Sequence, residues 1–195
     1  PGRSPALKPR LYQKISVVSG DTTTAIAVEM LIIKACHQLR LGNPKILIIG
    51  GTGTVGQRLI RLLIHDNFDK DRIHSLSKKA SKARHFELET GIQSLTWEGG
   101  FSERQISDYD IVIITTSGQL KISGQSFRGV KLVIDLTMPR FIKSIIHDIP
   151  STTFTIDGGW VQLPEGFFFN GVDMGLPDRQ TIFACLAETF MACII

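Results

Sequence analysis

The sequence predicts an α/β fold, a doubly wound and mostly parallel sheet with helices on its faces. Two observations predict it. Apolar runs of strand length recur between stretches of helical period, an alternation that calls for a parallel sheet. The run Lys45-Ile-Leu-Ile-Ile49 also passes through a glycine-rich turn straight into a helix, so strand, turn and helix form one unit.

That unit carries the strongest signal in the chain. Gly51, Gly53 and Gly56 have G-x-G-x-x-G spacing: the first permits a tight turn, the second a close backbone approach to a pyrophosphate, the third close packing of helix on strand. The helix that follows, with Val55, Leu59, Leu62 and Leu63 on its apolar face, offers unpaired N–H groups and a positive dipole end to an anion. Gly51, Thr52, Gly53, Thr54, Val55 and Gly56 are therefore expected to hold the phosphates of a dinucleotide in a Rossmann-type NAD(P)-binding domain.

Before this unit, residues 1–13 mix Pro1, Pro5 and Pro9 with Arg3, Lys8 and Arg10, and are expected to be a linker or extended arm. The domain is expected to span 14–195, as part of a longer chain. Ile15 to Ser19 suggests a short strand. Asp21 or Thr22 is expected to cap a helix running to about Arg40, apolar nearly all round and so packed on both sides, with Cys36 in the core.

After the glycine helix, Asp66 to Asp71 reads as a polar turn and Arg72 to Ser77 as the second strand. The end of that strand selects the cofactor. An NAD enzyme places a carboxylate there for the ribose, whereas this chain offers Ser77, Lys78 and Lys79, then Lys82 and Arg84, which suit the 2′-phosphate of NADP. His74 and His85 have no evident partners and are expected at the surface.

Ile92 to Trp97 reads as a third strand and Phe101 to Ser107 as a short helix. Asp108 to Gly118 reads as a central strand ending in Thr115, Thr116 and Ser117, hydroxyls expected at the cofactor crevice, since ligands bind at the carboxyl ends of strands. Val130 to Arg140 repeats the pattern, with Asp135 and Thr137 at the crevice edge or, for Asp135, capping a turn. Phe154 to Val161 is expected to be a sixth strand with a glycine break, and Trp160 to pack. A final helix is expected over 175–193, with Asp178 near its start and Cys185 two turns in, beside Thr181, Glu188 and Thr189. From its residue type alone, Cys185 is a small hydrophobe.

Composition narrows the classes. A chain of 195 residues, 43% hydrophobic, can bury a core. The net charge of +4 comes from scattered basic residues with little aromatic interleaving, against nucleic-acid binding. Cys36, Cys185 and Cys193 lack metal-site spacing, so neither zinc nor a disulfide framework is expected. No apolar run reaches the length of a membrane span, and a cytoplasmic location is expected.

Five segments taken together resemble one family. Gly20-Asp-Thr-Thr-Thr-Ala25, the Gly-Gly-Thr-Gly-Thr-Val-Gly turn, Ile134-Asp-Leu-Thr-Met-Pro-Arg140, Asp157-Gly-Gly-Trp-Val161 and Arg179-Gln-Thr-Ile-Phe-Ala-Cys-Leu-Ala-Glu188 resemble, in order and spacing, the aldehyde-forming long-chain acyl-(acyl-carrier-protein) reductases. The resemblance implies transfer of a fatty acyl group from a carrier-protein or coenzyme A thioester to Cys185, then reduction by NADPH to an aldehyde. Gly51-Thr52 stands where Ala-Thr is usual in that family. A looser likeness extends to the nucleotide domains of shikimate dehydrogenases, glutamyl-tRNA reductases and methylene-tetrahydromethanopterin dehydrogenases. A binding module without chemistry of its own is the alternative.

Overall fold

A computed structural model of the chain describes residues 19–116, 120–168 and 176–194. Six short strands, β1 (Ile46–Ile49), β2 (Ile73–Ser77), β3 (Ser94–Thr96), β4 (Ile111–Ile114), β5 (Leu132–Asp135) and β6 (Phe154–Asp157), form one sheet in the order 3-2-1-4-5-6. Every pairing is parallel, with Ile46 level with Ile73 on one side and Ile111 on the other. This is the expected doubly wound Rossmann-type sheet. The strand order reverses between β1 and β4, where such sheets open a ligand crevice.

Alternation of side chains builds a core on each face. Ile46, Ile48, Ile111, Ile113, Leu132 and Ile134 point to one side, where α1 (Asp21–Leu39), α2 (Thr54–His65) and α3 (Ala80–Thr90) cover them. Leu47, Ile49, Val112, Ile114 and Val133 point to the other, under Phe101, Ile106, Tyr109, Phe127 and Ile142. Both faces of the central strands are buried, which is why they read as unbroken apolar runs. Ile142 belongs to the short α4 (Phe141–Ile145), and the segment predicted as a helix near 101–107 is a 3-10 turn over Glu103–Asp108.

Several expectations are corrected. Neither Asp21 nor Thr22 caps α1: its N-cap is Gly20, with φ 72° and no side chain to offer. The helix buries Ala25, Val28, Glu29, Ile32 and Ala35, but Ile26, Met30 and Ile33 on its outer side are exposed, so it is covered along one face only among the described residues. Cys36 is half-buried and packs on the core's edge. His74 is buried, with its Nδ1 2.7 Å from the Tyr109 hydroxyl, whereas His85 is exposed. Of the predicted strand at 15–19, residues 15–18 and the arm before them lie outside the described residues, and Ser19 is not in a strand.

The carboxyl-terminal third departs furthest from the reading of sequence. Gly158 and Gly159 end β6 and start a different sheet, in which β7 (Trp160–Gln162) pairs antiparallel with β8 (Thr181–Phe183). The φ of 78° at Gly159 supplies the bend. Thr181, Ile182 and Phe183, β-branched and aromatic, are thus a strand, and the last helix, α5 (Ala184–Ile194), starts only at Ala184. Cys185 is therefore in the first turn of α5 instead of two turns in, and Thr181 is not on that helix.

Candidate functional site

The glycine turn forms as its spacing requires. Gly50, with φ 92°, donates its N–H to Leu76 O of β2 at 2.8 Å, and Gly53 donates to Gly50 O at 2.8 Å. A Cβ on Gly51 would stand 2.5 Å from Ser75 Oγ, and one on Gly56 would stand 2.6 Å from Gly51 Cα. Any side chain at these two positions would lift the turn off β2 or α2 off the turn.

The turn then presents a bare helix end. Gly53 is the N-cap of α2, no side chain caps it, and no acidic residue lies in the first turn. The first-turn amides of Thr54, Val55 and Gly56 have no intrahelical acceptors, so they are free to serve an anion. Gly53 itself is exposed, and the buried Ser75 hydroxyl beneath the turn has no hydrogen-bond partner. This cradle fits a dinucleotide pyrophosphate.

Two further expected contacts gather at its rim. The Thr52 and Ser77 hydroxyls are 2.8 Å apart, so the turn is fastened to the end of β2. Ser77 is buried by this contact, while Lys78 and Lys79 are exposed just before α3. Sequence reading missed Glu98, whose Oε2 accepts from Ala80 N at 3.2 Å and so places a carboxylate at the start of α3. Its signal, a lone acid after β3, was too local to place. Across the switch point, Thr115 donates N–H and Oγ1–H to Ile49 O at 2.9 and 3.1 Å and reaches Gly50, while half-buried Thr116 follows it. Ser117 lies outside the described residues.

The segment after β5 is structural. Asp135 is fully buried, its Oδ1 accepting from Thr137 N and Oγ1 at 2.8 and 2.6 Å and its Oδ2 from Ile142 N at 2.8 Å. It caps the turn and the start of α4. Arg140 donates to the carbonyls of Asp135, Thr137 and Gly158 and lies over the Trp160 ring, 5.7 Å from its centroid. That clamp joins β5, β6 and β7.

Cys185 reaches the same edge of the molecule. Ala184 donates to Gly159 O at 2.8 Å, fixing the start of α5 just beyond β6. The Cys185 backbone rests on Gly20 at the start of α1, and its residue is exposed. Thr22, in the first turn of α1, accepts a hydrogen bond from Arg58 of α2. The contacts thus run from Cys185 through α1 to the helix that opens at the glycine turn. Thr189 is exposed on α5, and the Cys193 side chain lies outside what is described. Burial pushes the Cys36 thiol up from its ordinary value, which disfavours Cys36 as the nucleophile. A cavity of about 480 Å³ is lined by Phe168, Asp178, Arg179 and Gln180, just ahead of β8. Among the described residues no cluster of His, Cys, Asp or Glu could hold a metal, and no helix is long and apolar enough to cross a membrane.

Comparison with known proteins agrees with this geometry. Residues 45–139 match the sequence model of the semialdehyde dehydrogenase NAD-binding domain. Aminotransferase PigE of Serratia sp. (strain ATCC 39006) is 22% identical over 179 residues, 91% of this chain but only 21% of that protein. The chain therefore spans about a fifth of that relative's length. Among solved structures, a dipicolinate synthase from Bacillus halodurans superposes with a TM-score of 0.52 at 14% identity, over 71% of this chain and 46% of that one. An Ael1 enzyme from Pseudomonas putida does so with a TM-score of 0.50 at 15% identity, over 69% and 51%. The glycine cradle and the matched family model together identify an NAD(P)-binding domain of the dehydrogenase and reductase kind.

Proposed function

We propose that this NAD(P)-binding domain serves an NADPH-dependent reductase that converts a long-chain fatty acyl thioester, of acyl carrier protein or coenzyme A, to an aldehyde through a thioester on Cys185. One observation carries the reading: exposed Cys185 in the first turn of α5 packs against the start of α1, which is bonded through Thr22 and Arg58 to the helix that follows the cofactor turn. The five segments that resemble acyl-(acyl-carrier-protein) reductases add support, because three of them meet here: the Gly20 segment, Asp157 to Val161 and the Cys185 helix.

The chemistry divides into two steps. The Cys185 sulfur attacks the thioester carbonyl, a new C–S bond forms, and the carrier leaves as its thiol with the proton that Cys185 gives up. A bound reduced nicotinamide would supply hydride, and with one proton from solvent the enzyme thioester yields aldehyde and free Cys185. The chain's own residues bind and orient. The Thr54, Val55 and Gly56 amides take the pyrophosphate, Lys78 and Lys79 the 2′-phosphate, and Thr115 and Thr116 line the crevice. The positive end of α5, whose first turn has no acidic residue, favours negative charge as it develops beside Cys185.

The test is intact-mass spectrometry of the protein after incubation with a long-chain acyl thioester, first without NADPH and then with it. An acyl adduct that Cys185→Ser abolishes, and that disappears as aldehyde forms, is the expected result, with NADPH binding within about twofold of wild type in the variant. No adduct on a protein that binds NADPH would favour the second reading, a cofactor-binding module of a longer oxidoreductase.

A further inference from the structure

The junction between the starts of α1 and α5 is closer than ordinary helix packing. A Cβ on Gly20 would stand 2.3 Å from Cys185 Cβ, 2.5 Å from its Cα and 2.9 Å from its carbonyl oxygen. Real Cβ atoms do not approach so closely, and the atoms met are backbone and Cβ, which cannot swing aside. A glycine N-cap also has no side chain to offer the first turn of α1, where Ser19 Oγ accepts only from Asp21 N, at 3.4 Å. Glu188 of α5, one turn beyond Cys185, supplies one: Oε2 accepts from Thr23 N at 2.9 Å. Two residues far apart in sequence thus fasten the turn that carries the thiol, one by lacking a side chain and one by extending it.

We propose that Gly20 and Glu188 are positioning residues for Cys185, holding its turn of α5 in place on the start of α1 so that the exposed thiol stays at the amino end of α5, which has no acidic residue in its first turn. The functional meaning rests on Cys185 being the acyl acceptor; the positioning itself does not. Because the thiol is already exposed, access does not limit its reaction with a small alkylating agent, and disturbing the first turn of α5 takes the helix end from the thiol and slows that reaction.

The measurement is the alkylation rate of Cys185 by iodoacetamide relative to Cys36 in the same molecule, read by peptide mass spectrometry, alongside the acyl-adduct rate. The variants are Gly20→Ala, Glu188→Ala, Glu188→Gln and Gly91→Ala. Gly91 is the control: it shares the φ of 72°, but a Cβ there would meet only Lys70 Nζ at 3.9 Å. The expected result is a roughly three- to fivefold fall in the Cys185 to Cys36 ratio for Gly20→Ala and Glu188→Ala, with no change for Gly91→Ala despite the same backbone strain. Glu188→Gln, which keeps an acceptor oxygen, restores most of the ratio. A ratio in Gly20→Ala equal to that in Gly91→Ala overturns the role of Gly20, and a ratio in Glu188→Ala equal to that in Glu188→Gln, which loses the same charge, overturns that of Glu188, even should one variant fold poorly. Wild type that forms no acyl adduct while the ratio still separates Gly20→Ala from Gly91→Ala removes the acyl-acceptor reading and leaves the positioning intact.

Discussion

His74 and Tyr109 show how little a single residue type discloses about its place. Their side chains are buried at the amino end of β2 and just before β4, with ring centroids 5.4 Å apart and Lys45 Nζ 4.7 Å from the tyrosine ring centroid. Burial, with the Lys45 charge, holds His74 below its ordinary pKa, and burial raises the Tyr109 hydroxyl well above the usual range. The neutral pair shares one hydrogen bond, away from the glycine turn. Tyr109→Phe leaves a buried imidazole nitrogen unpaired and is expected to cost about 1–3 kcal/mol of stability in urea titration while cofactor affinity is unchanged. A larger loss of cofactor affinity than of stability would contradict this placement. No sequence signal marked the pair, because 35 residues separate its members and only the adjacency of β1, β2 and β4 unites them.

At the scale of the element, helices α1 and α2 meet through charge as well as apolar area. Glu29, buried on α1, reaches Asp66 at the end of α2, and His65 Nδ1 lies 3.0 Å from Asp66 Oδ1. The hydrogen bond to Asp66, and then burial, pushes the Glu29 carboxyl up to about 7, whereas Asp66 is lowered first by that same bond and then by the bond to His65. A carboxyl raised in the folded state contributes stability that is whole below its unfolded value of 4.5 and is lost as pH rises through about 7. Glu29→Gln removes that contribution, so the difference in Tm between wild type and variant should shrink from pH 5 to pH 8. A difference that grew over this window would refute the shared proton. The helices themselves were legible from period and length, but their ends were not. Asp21 looked like a cap, yet the N-cap of α1 is Gly20 and the acceptor for Thr23 N comes from Glu188 on α5, and β8 replaced the first turns predicted for α5 because Trp160 to Gln162 offered it a partner strand.

Across the whole molecule, the sheet brings the β1 turn, the β2 end and the β4 end to one crevice, and cofactor binding should therefore stabilise the fold as a unit. A ligand at about a hundred times its Kd adds about 2.7 kcal/mol by mass action. With the proposed preference for NADP, NADPH should raise Tm more than NADH at equal concentration, and the double change Lys78→Ala, Lys79→Ala should remove most of that difference. Equal shifts from both dinucleotides in wild type would refute the role of the lysines, and a larger shift from NADH would point to a carboxylate such as Glu98. Sequence by itself determined the doubly wound sheet and the nucleotide turn, because both rest on local rules: strand-length apolar runs, and glycines whose missing Cβ atoms clear Ser75 and the turn's own backbone. Only the tertiary structure decided what stands around Cys185. Gly20 meets Cys185, and Thr23 meets Glu188, through packing across 165 residues of chain, and no periodicity along a sequence encodes which distant backbone will lack the atom that would keep two helices apart.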